Sequence, residues 1–322
     1  MISVVSPFYN EQAILANAIE LMLSNLRLLQ DEWELIVVND GSTDDSLSVA
    51  MQKAAGEPRL RVLSYDRNQG RGYALKQGID AARGDIIVTT EIDCSWGDSI
   101  VASLAQALRA DPHLDIVIAS TNLPGGGYKN VPRYRVFLSQ AANLFLGLSI
   151  SPRITMFTGM TRGYKSVAVK QIPISETGKE FHLDVIAKGI SFGFRIAEIP
   201  AIITWQNENL AEFRAPKRKS SSKIPSLIRS HILFGLSGRP YHYLFWASLI
   251  TFLLTGLFAG WGAANFMAGR VTVFLLILSM SSFILTMLLA GFGVLALQQS
   301  SILRELWIVR KELKQGPNHN AQ

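Results

Sequence analysis

The chain has 322 residues, 48% of them hydrophobic, with a formal charge of +6 and a single cysteine. That length accommodates one large core or two modest ones, and a lone Cys94 excludes an internal disulfide and any multi-cysteine zinc site. The positive charge admits nucleic acid, anionic lipid or a phosphorylated substrate as partner, and its distribution along the chain decides among them.

The first 240 residues or so alternate apolar and polar segments as an α/β protein does, starting without a signal peptide. ISVVSPFYNE (2–11) reads as a strand ending in a turn, and QAILANAIELMLSNL has helical apolar spacing. WELIVVNDGSTDDS (33–46) is a strand closing on Asp40-Gly41, followed by a helix over LSVAMQKAA. RLRVLSYD (59–66) is a third strand, NQGRGYALKQGIDAARG (68–84) a glycine-rich turn and helix, and DIIVTTEID (85–93) a fourth strand. Strand–helix alternation predicts right-handed βαβ units, a parallel sheet and ligands beyond the carboxyl ends of its strands.

Those ends carry the informative residues. Pro7, Tyr9, Asn10 and Glu11 follow the first strand, Asp40 and Gly41 the second, and Glu91 and Asp93 the fourth, while Asn68 and Gly70 open the glycine-rich turn. A nucleotide suits such a rim: a carboxylate at Asp40 can accept from the N–H edge of uracil or guanine, and the glycines allow close backbone approach. Neither G-x-G-x-x-G after the first strand nor a G-x-x-x-x-G-K-[ST] loop is present. The acids at 91 and 93, two positions apart where the chain leaves the sheet, can turn toward one hard divalent cation, Mg2+ or Mn2+. Cys94 beside them reads as a small buried residue, because neighbouring carboxylates raise a thiol's pKa.

The chain from 243 to 297 is almost free of charge. Residues 243–267 and 271–297 are each long enough to cross a bilayer, which predicts a helical hairpin, with Gly256, Gly260, Gly262 and Ala263 allowing close helix approach. Lys217, Arg218, Lys219, Lys223 and Arg229 precede it, Arg304, Arg310, Lys311 and Lys314 follow it, and Arg270 alone lies between. This is the positive-inside pattern for two spans with both flanks, and the catalytic part, cytoplasmic. The partner implied is a lipid bilayer, with no nucleic acid. Residues 224–240 have the spacing of an interfacial helix, and 299–322 of a second amphipathic helix and tail.

The rim motifs together resemble the family 2 glycosyltransferases of the GT-A fold, and within them the polyprenyl-phosphate hexosyltransferases. SPFYNE, VVNDGSTDDS, NQGRGYALKQGI and TTEID are similar to that family's opening motif, base-binding strand end, asparagine- and glycine-rich turn and Asp-X-Asp strand. Residues 120–150 resemble the acceptor loop and its following helix, 158–169 the Gly-Phe-Arg segment, and 178–203 the stretch carrying an acid before the last core strands. The resemblance implies a GT-A domain over 1–223, a nucleotide diphosphate sugar (GDP-mannose or UDP-glucose) as donor and a polyprenyl phosphate as acceptor. It implies that Asp40 binds the base, that Glu91 and Asp93 bind metal and diphosphate, and that Arg162 and Lys223 meet phosphate. Arg133 and Arg135 would meet the acceptor phosphate, with Lys129 nearby. Asp184 would contact sugar hydroxyls, act as a base, or serve only as a helix acid with a structural partner. His182 reads as structural.

Two features depart from the family. Glu91 stands where aspartate is usual, and Cys94-Ser95-Trp96-Gly97 replaces the usual proline-containing loop. Rival expectations are a processive polysaccharide synthase, whose Gln-X-X-Arg-Trp motif is missing here, and an inactive membrane-anchored scaffold. A homo-oligomer is left open.

Overall fold

A computed structural model describes residues 1–174, 178, 180–205 and 240–315, and the side chains of 303, 304, 307, 308 and 310–315 are not described. The chain divides into two compact units, Met1–Phe234 and Gly235–Gln322.

The first unit is built on a seven-stranded sheet. In chain order its described elements are β1 (Ile2–Phe8), α1 (Gln12–Arg27), β2 (Trp33–Asn39), α2 (Ser46–Ala55), β3 (Leu60–Ser64), α3 (Arg71–Ala81), β4 (Ile86–Thr89), α4 (Ile100–Ala110) and β5 (Ile116–Ser120). There follow β6 (Gly127–Lys129), α5 (Arg133–Ser149), β7 (Arg162–Lys165), α6 (Ser166–Val169), α7 (Phe181–Ser191), β8 (Ile196–Pro200) and β9 (Ile202–Thr204). The sheet order is β3-β2-β1-β4-β7-β5-β8. All its neighbours run parallel except β7, which is antiparallel to both β4 and β5.

The strands of the sheet's centre read as continuous apolar runs because both faces are covered: every residue of β2 is buried, and only Pro7 of β1 is partly exposed. Val4 lines one face with Met22 and Leu26 of α1 and Ile100 of α4. Its neighbour Val5 points to the other face, where it meets Gly78 of α3. A Cβ at Gly78 would lie 2.2 Å from Val5 Cγ1, so the glycine sets how closely α3 packs on β1. α1 buries Ile14, Leu15, Ala18, Ile19, Met22, Leu23 and Leu26, the helical spacing read from the sequence.

β1 pairs with both β2 and β4. The chain therefore winds outward in opposite directions from this point, and a crevice opens there beyond the carboxyl ends. β6 and β9 form a separate two-stranded parallel ribbon.

The second unit is a helical hairpin of α8 (Pro240–Met267) and α9 (Val273–Gln315). Both helices have stretches long and apolar enough to cross a membrane, with mean hydropathy 1.7 over Pro240–Met267 and 2.5 over Val273–Ile302. Residues 301–315 continue α9 without a break, where a separate amphipathic helix was expected. The helix contact follows expectation at Gly262, which lies against Leu275, and differs at Gly256 and Gly260, where a Cβ would meet nothing within 4 Å; Gly293, not foreseen, lies against Phe245. Hydroxyls bridge the helices: Ser282 Oγ donates to Thr251 O at 2.9 Å, and Thr286 Oγ1 to Thr251 Oγ1 at 2.8 Å. The expected interfacial helix at 224–240 lies outside the described residues except for Pro240.

Candidate active site

The loops after β1 and β2 are locked to each other. Asn10, in a left-handed conformation (φ 53°), accepts from Thr43 N at 2.8 Å, and its own backbone N–H donates to Ser42 Oγ at 3.0 Å. The Glu11 backbone N–H donates to Ser46 Oγ at 2.9 Å, and Asn39 Oδ1 receives Ser42 N at 3.0 Å. Tyr9 is left half exposed on the rim.

Asp40 is buried and heavily engaged. Its carboxylate accepts from Tyr65 Oη at 2.7 Å, Asn68 Nδ2 at 3.0 Å, Gln69 N at 2.9 Å and Gly70 N at 3.1 Å. Asn68 and Gly70, expected at a nucleotide, thus hold Asp40 in place and shape the turn into α3. Gly41 (φ 62°) lies under this turn, and a Cβ there would come within 2.4 Å of Arg67 C and Asn68 N. Only glycine meets both demands. Tyr65 was not foreseen from the sequence. Burial and the adjacent Asp40 carboxylate hold its hydroxyl protonated, as its role of donor requires.

β4 stops at Thr89, shorter than the expected 85–93, so Glu91 and Asp93 stand in the turn beyond it. The turn is anchored by Thr90 N to Val5 O at 3.1 Å and by Ser6 Oγ to Thr90 O at 3.0 Å, which fixes the acids beside β1. Glu91 accepts from Thr161 Oγ1 at 2.6 Å, while Asp93 Oδ1 accepts from Ser95 N at 3.1 Å. Burial, and then the charge of Asp93, push the Glu91 carboxyl above its ordinary pKa, against the pull of Arg71. Among the described residues neither acid forms an ion pair. No group of three or more His, Cys, Asp or Glu side chains suited to a metal occurs among them either. The protein's donor set here is two carboxylates, hard oxygen ligands of the kind Mg2+ and Mn2+ take when substrate phosphates and water complete the shell. Arg71 and Thr161 were missed in the sequence, although both lie inside the motifs singled out. Burial and the nearby Asp93 and Asp98 push the Cys94 thiol up to about 12, in keeping with a packing role.

Arg162 starts β7 and is completely buried. Nε donates to Gly159 O at 2.9 Å, Nη1 to His182 O at 2.8 Å and Nη2 to Phe157 O at 2.6 Å. Its guanidinium braces the 157–162 segment against α7 through three carbonyls. Asp184 is buried on α7 and pairs with Lys188 at 2.8 Å on the next turn. Of the readings open for it, the helix acid with a structural partner is the one these contacts match.

Arg133 and Arg135 open α5. Arg133 is exposed, and the Arg135 guanidinium lies 4.8 Å over the Trp205 ring. The β6/β9 ribbon holds Trp205 there, with Trp205 N donating to Lys129 O at 3.0 Å. Lys223 lies outside the described residues.

This doubly wound sheet with an acid pair at its switch point is a GT-A-like α/β core. It matches glucosyl-3-phosphoglycerate synthase from Mycobacterium tuberculosis, solved in complex with Mn2+, uridine diphosphate and glucosyl-3-phosphoglycerate. The TM-score is 0.55 with 21% identity, over 74% of this chain and 79% of that one. The model of Glycosyl transferase family 2 matches residues 3–172. The chain belongs to this family and is a glycosyltransferase. Over 214 residues it is 30% identical to undecaprenyl-phosphate mannosyltransferase of Micrococcus luteus, covering 65% of this chain and 84% of the relative. Over 243 residues it is 28% identical to polyprenol monophosphomannose synthase of Mycolicibacterium smegmatis, covering 73% and 87%.

Proposed function

We propose that the protein is a membrane-bound inverting glycosyltransferase that moves a hexose from a nucleoside diphosphate sugar to a polyprenyl phosphate. The observation that carries this reading is the pair Glu91 and Asp93, without an ion-pair partner among the described residues and set at the sheet's switch point beside the β1 and β2 loops. The relatives support the acceptor, since both are named for transfer of mannose to a polyprenyl carrier. They also make GDP-mannose the first donor to try, with UDP-glucose second.

Glu91 and Asp93 would hold a divalent cation, Mg2+ or Mn2+, which when bound offsets the charge of the departing diphosphate. The locked loops of Tyr9, Asn10, Glu11 and Asp40-Gly41 bound the space for the base. Asp40 can receive a base N–H only by exchanging one of its present donors, Tyr65 Oη being a side chain able to swing away. Arg133, Arg135 and Lys223 would draw in the acceptor phosphate. That oxygen is anionic near neutral pH, so attack on the anomeric carbon needs no general base, and Asp184 can stay paired with Lys188. Orientation and charge screening supply the catalysis. A single displacement turns an α-linked donor into a β-linked lipid monophosphate sugar. Arg162, spent on carbonyls, is given no phosphate.

The test is a donor panel. Purified protein with Mg2+ or Mn2+, a polyprenyl phosphate and one nucleotide sugar at a time should yield a lipid-linked sugar with one preferred donor, and a chelator should stop it. Absence of product with every donor, together with no nucleotide binding, would leave the scaffold reading in its place.

A further inference from the structure

Glu91 and Asp93 are engaged in the same asymmetric way. One oxygen of each carboxylate is committed to the protein: Thr161 Oγ1 donates to Glu91 Oε2 at 2.6 Å, and Ser95 N donates to Asp93 Oδ1 at 3.1 Å. The two donors differ in origin. Ser95 lies two residues beyond Asp93, so its bond is a local turn contact. Thr161 reaches Glu91 from 70 residues away.

Thr161 is held in place by the fold rather than by its partner. It is fully buried, and both of its chain neighbours are tied down: Met160 O accepts from Thr89 Oγ1 at 2.6 Å, and the Arg162 guanidinium donates to the carbonyls of Phe157, Gly159 and His182. Thr161 O accepts from Ala119 N at 3.1 Å. The Thr161 hydroxyl also stands 3.2 Å from Thr90 Oγ1. A hydroxyl has one proton to give. With that of Thr161 directed to Glu91, the proton between the two threonines belongs to Thr90, and the order runs Thr90 to Thr161 to Glu91, each bond polarising the next. Thr90 is anchored to β1 in turn, its N–H on Val5 O at 3.1 Å and its carbonyl receiving Ser6 Oγ at 3.0 Å. Releasing Glu91 Oε2 would leave a buried oxygen and a buried hydroxyl unpaired, so this oxygen resists being drawn onto an ion.

Coordination chemistry turns that restraint into selectivity. Ca2+ accepts a large, flexible shell in which one carboxylate often supplies both oxygens, whereas Mg2+ demands a tight, near-ideal octahedron. The two oxygens of one carboxylate lie too close together to fill neighbouring corners of such an octahedron. A carboxylate limited to one oxygen therefore suits the smaller ion. With Oε2 on Thr161 and Oδ1 on Ser95 N, the pair presents one oxygen from each acid and leaves the remaining corners to phosphate and water.

We propose that Thr161 is a specificity-determining residue for the cation: by occupying Glu91 Oε2 it restricts that carboxylate to one-oxygen ligation, and so favours Mg2+ and Mn2+ over Ca2+. It acts through Glu91, as a positioning residue. The role requires that Glu91 and Asp93 hold a cation, the reading on which it rests.

Mn2+ binding is measured by electron paramagnetic resonance on the full-length protein in detergent with UDP or GDP, so that no turnover is needed. Mg2+ should displace Mn2+ from the unaltered protein at a several-fold lower concentration than Ca2+ does. Thr161→Val keeps the shape and removes the hydroxyl, and there the preference should shift several-fold toward Ca2+. Thr161→Ser should behave as the unaltered protein. An unchanged preference in Thr161→Val overturns the proposal, and so does a Thr161→Ser that behaves like Thr161→Val, since packing rather than the hydroxyl would then be at work. Readier displacement by Ca2+ than by Mg2+ from the unaltered protein overturns it without any variant. Should the unaltered protein bind no Mn2+ at all, the cation reading of the acid pair falls and this role with it, whereas Mn2+ bound with a preference indifferent to Thr161 removes this role alone.

Discussion

Asp93 offers the most direct test of the acid pair, because Oδ1 is spent on Ser95 N while Oδ2 has no partner among the described residues. Asp93→Asn keeps the backbone turn and removes a charge from the proposed cation site. Turnover should fall by roughly 100-fold or more with the melting temperature unchanged, and a near-normal rate in the same assay would remove Asp93 from the chemistry. Gly41→Ala should act through the fold, since the new methyl collides with Arg67 and Asn68 while φ stays positive. A loss of about 1–3 kcal/mol is expected in denaturant unfolding, accompanied by weaker nucleotide binding. Away from the site, Glu57 accepts from Arg59 Nε at 2.9 Å and Arg27 Nη2 at 3.1 Å, and these hold its carboxyl down at about 2. A carboxyl lowered on folding stabilises above its unfolded pKa, near 4.3, and loses that contribution as pH falls through its folded value. Stability should therefore drop between about pH 4.5 and pH 2. Glu57→Gln should flatten that part of the curve and cost about 1 kcal/mol at pH 7, because both arginines are partly exposed.

At the scale of the element, β1 and β2 were legible because a strand covered on both faces leaves an unbroken apolar run, and α1 because one buried face imposes helical spacing. β7 was not legible as an antiparallel insertion. Its four residues, RGYK, carry no signal of direction, and their place between β4 and β5 follows from long-range pairing. The hairpin's helices were equally plain from length and hydropathy, yet which residues face each other was not. Of the small residues expected there Gly262 meets the other helix while Gly256 and Gly260 do not, and hydroxyls at Thr251, Ser282 and Thr286 supply contacts that glycine spacing did not show. In a span without charges, a Thr looks like any small residue until the neighbouring helix is present to receive its bond. Thr286→Val should lower the hairpin's resistance to unfolding in lipid or detergent by about 0.6 kcal/mol, with about 1.7 as an upper bound. No change in that measurement would mean that packing alone joins the helices.

For the whole molecule, the topology we propose from the flanking Lys and Arg residues has both ends of the hairpin in the cytoplasm and Arg270, in the turn, on the other side. Arg270→Cys in intact cells should react with a membrane-impermeant maleimide added outside, and Met51→Cys only after lysis. The reverse pattern would invert the proposed topology. Chain order and local chemistry were enough to mark the α/β class, the rim that carries Asp40, Glu91 and Asp93, and the two apolar helices, because each leaves its mark on neighbouring residues: periodicity, a turn glycine, a run without charge. Only the tertiary structure decided what those side chains do with one another. It tied Asn68 and Gly70 to Asp40, turned Arg162 onto three carbonyls and paired Asp184 with Lys188. A hydrogen-bond partner or a covering surface comes from residues far away in the chain, and sequence spacing records nothing of where folding will bring them.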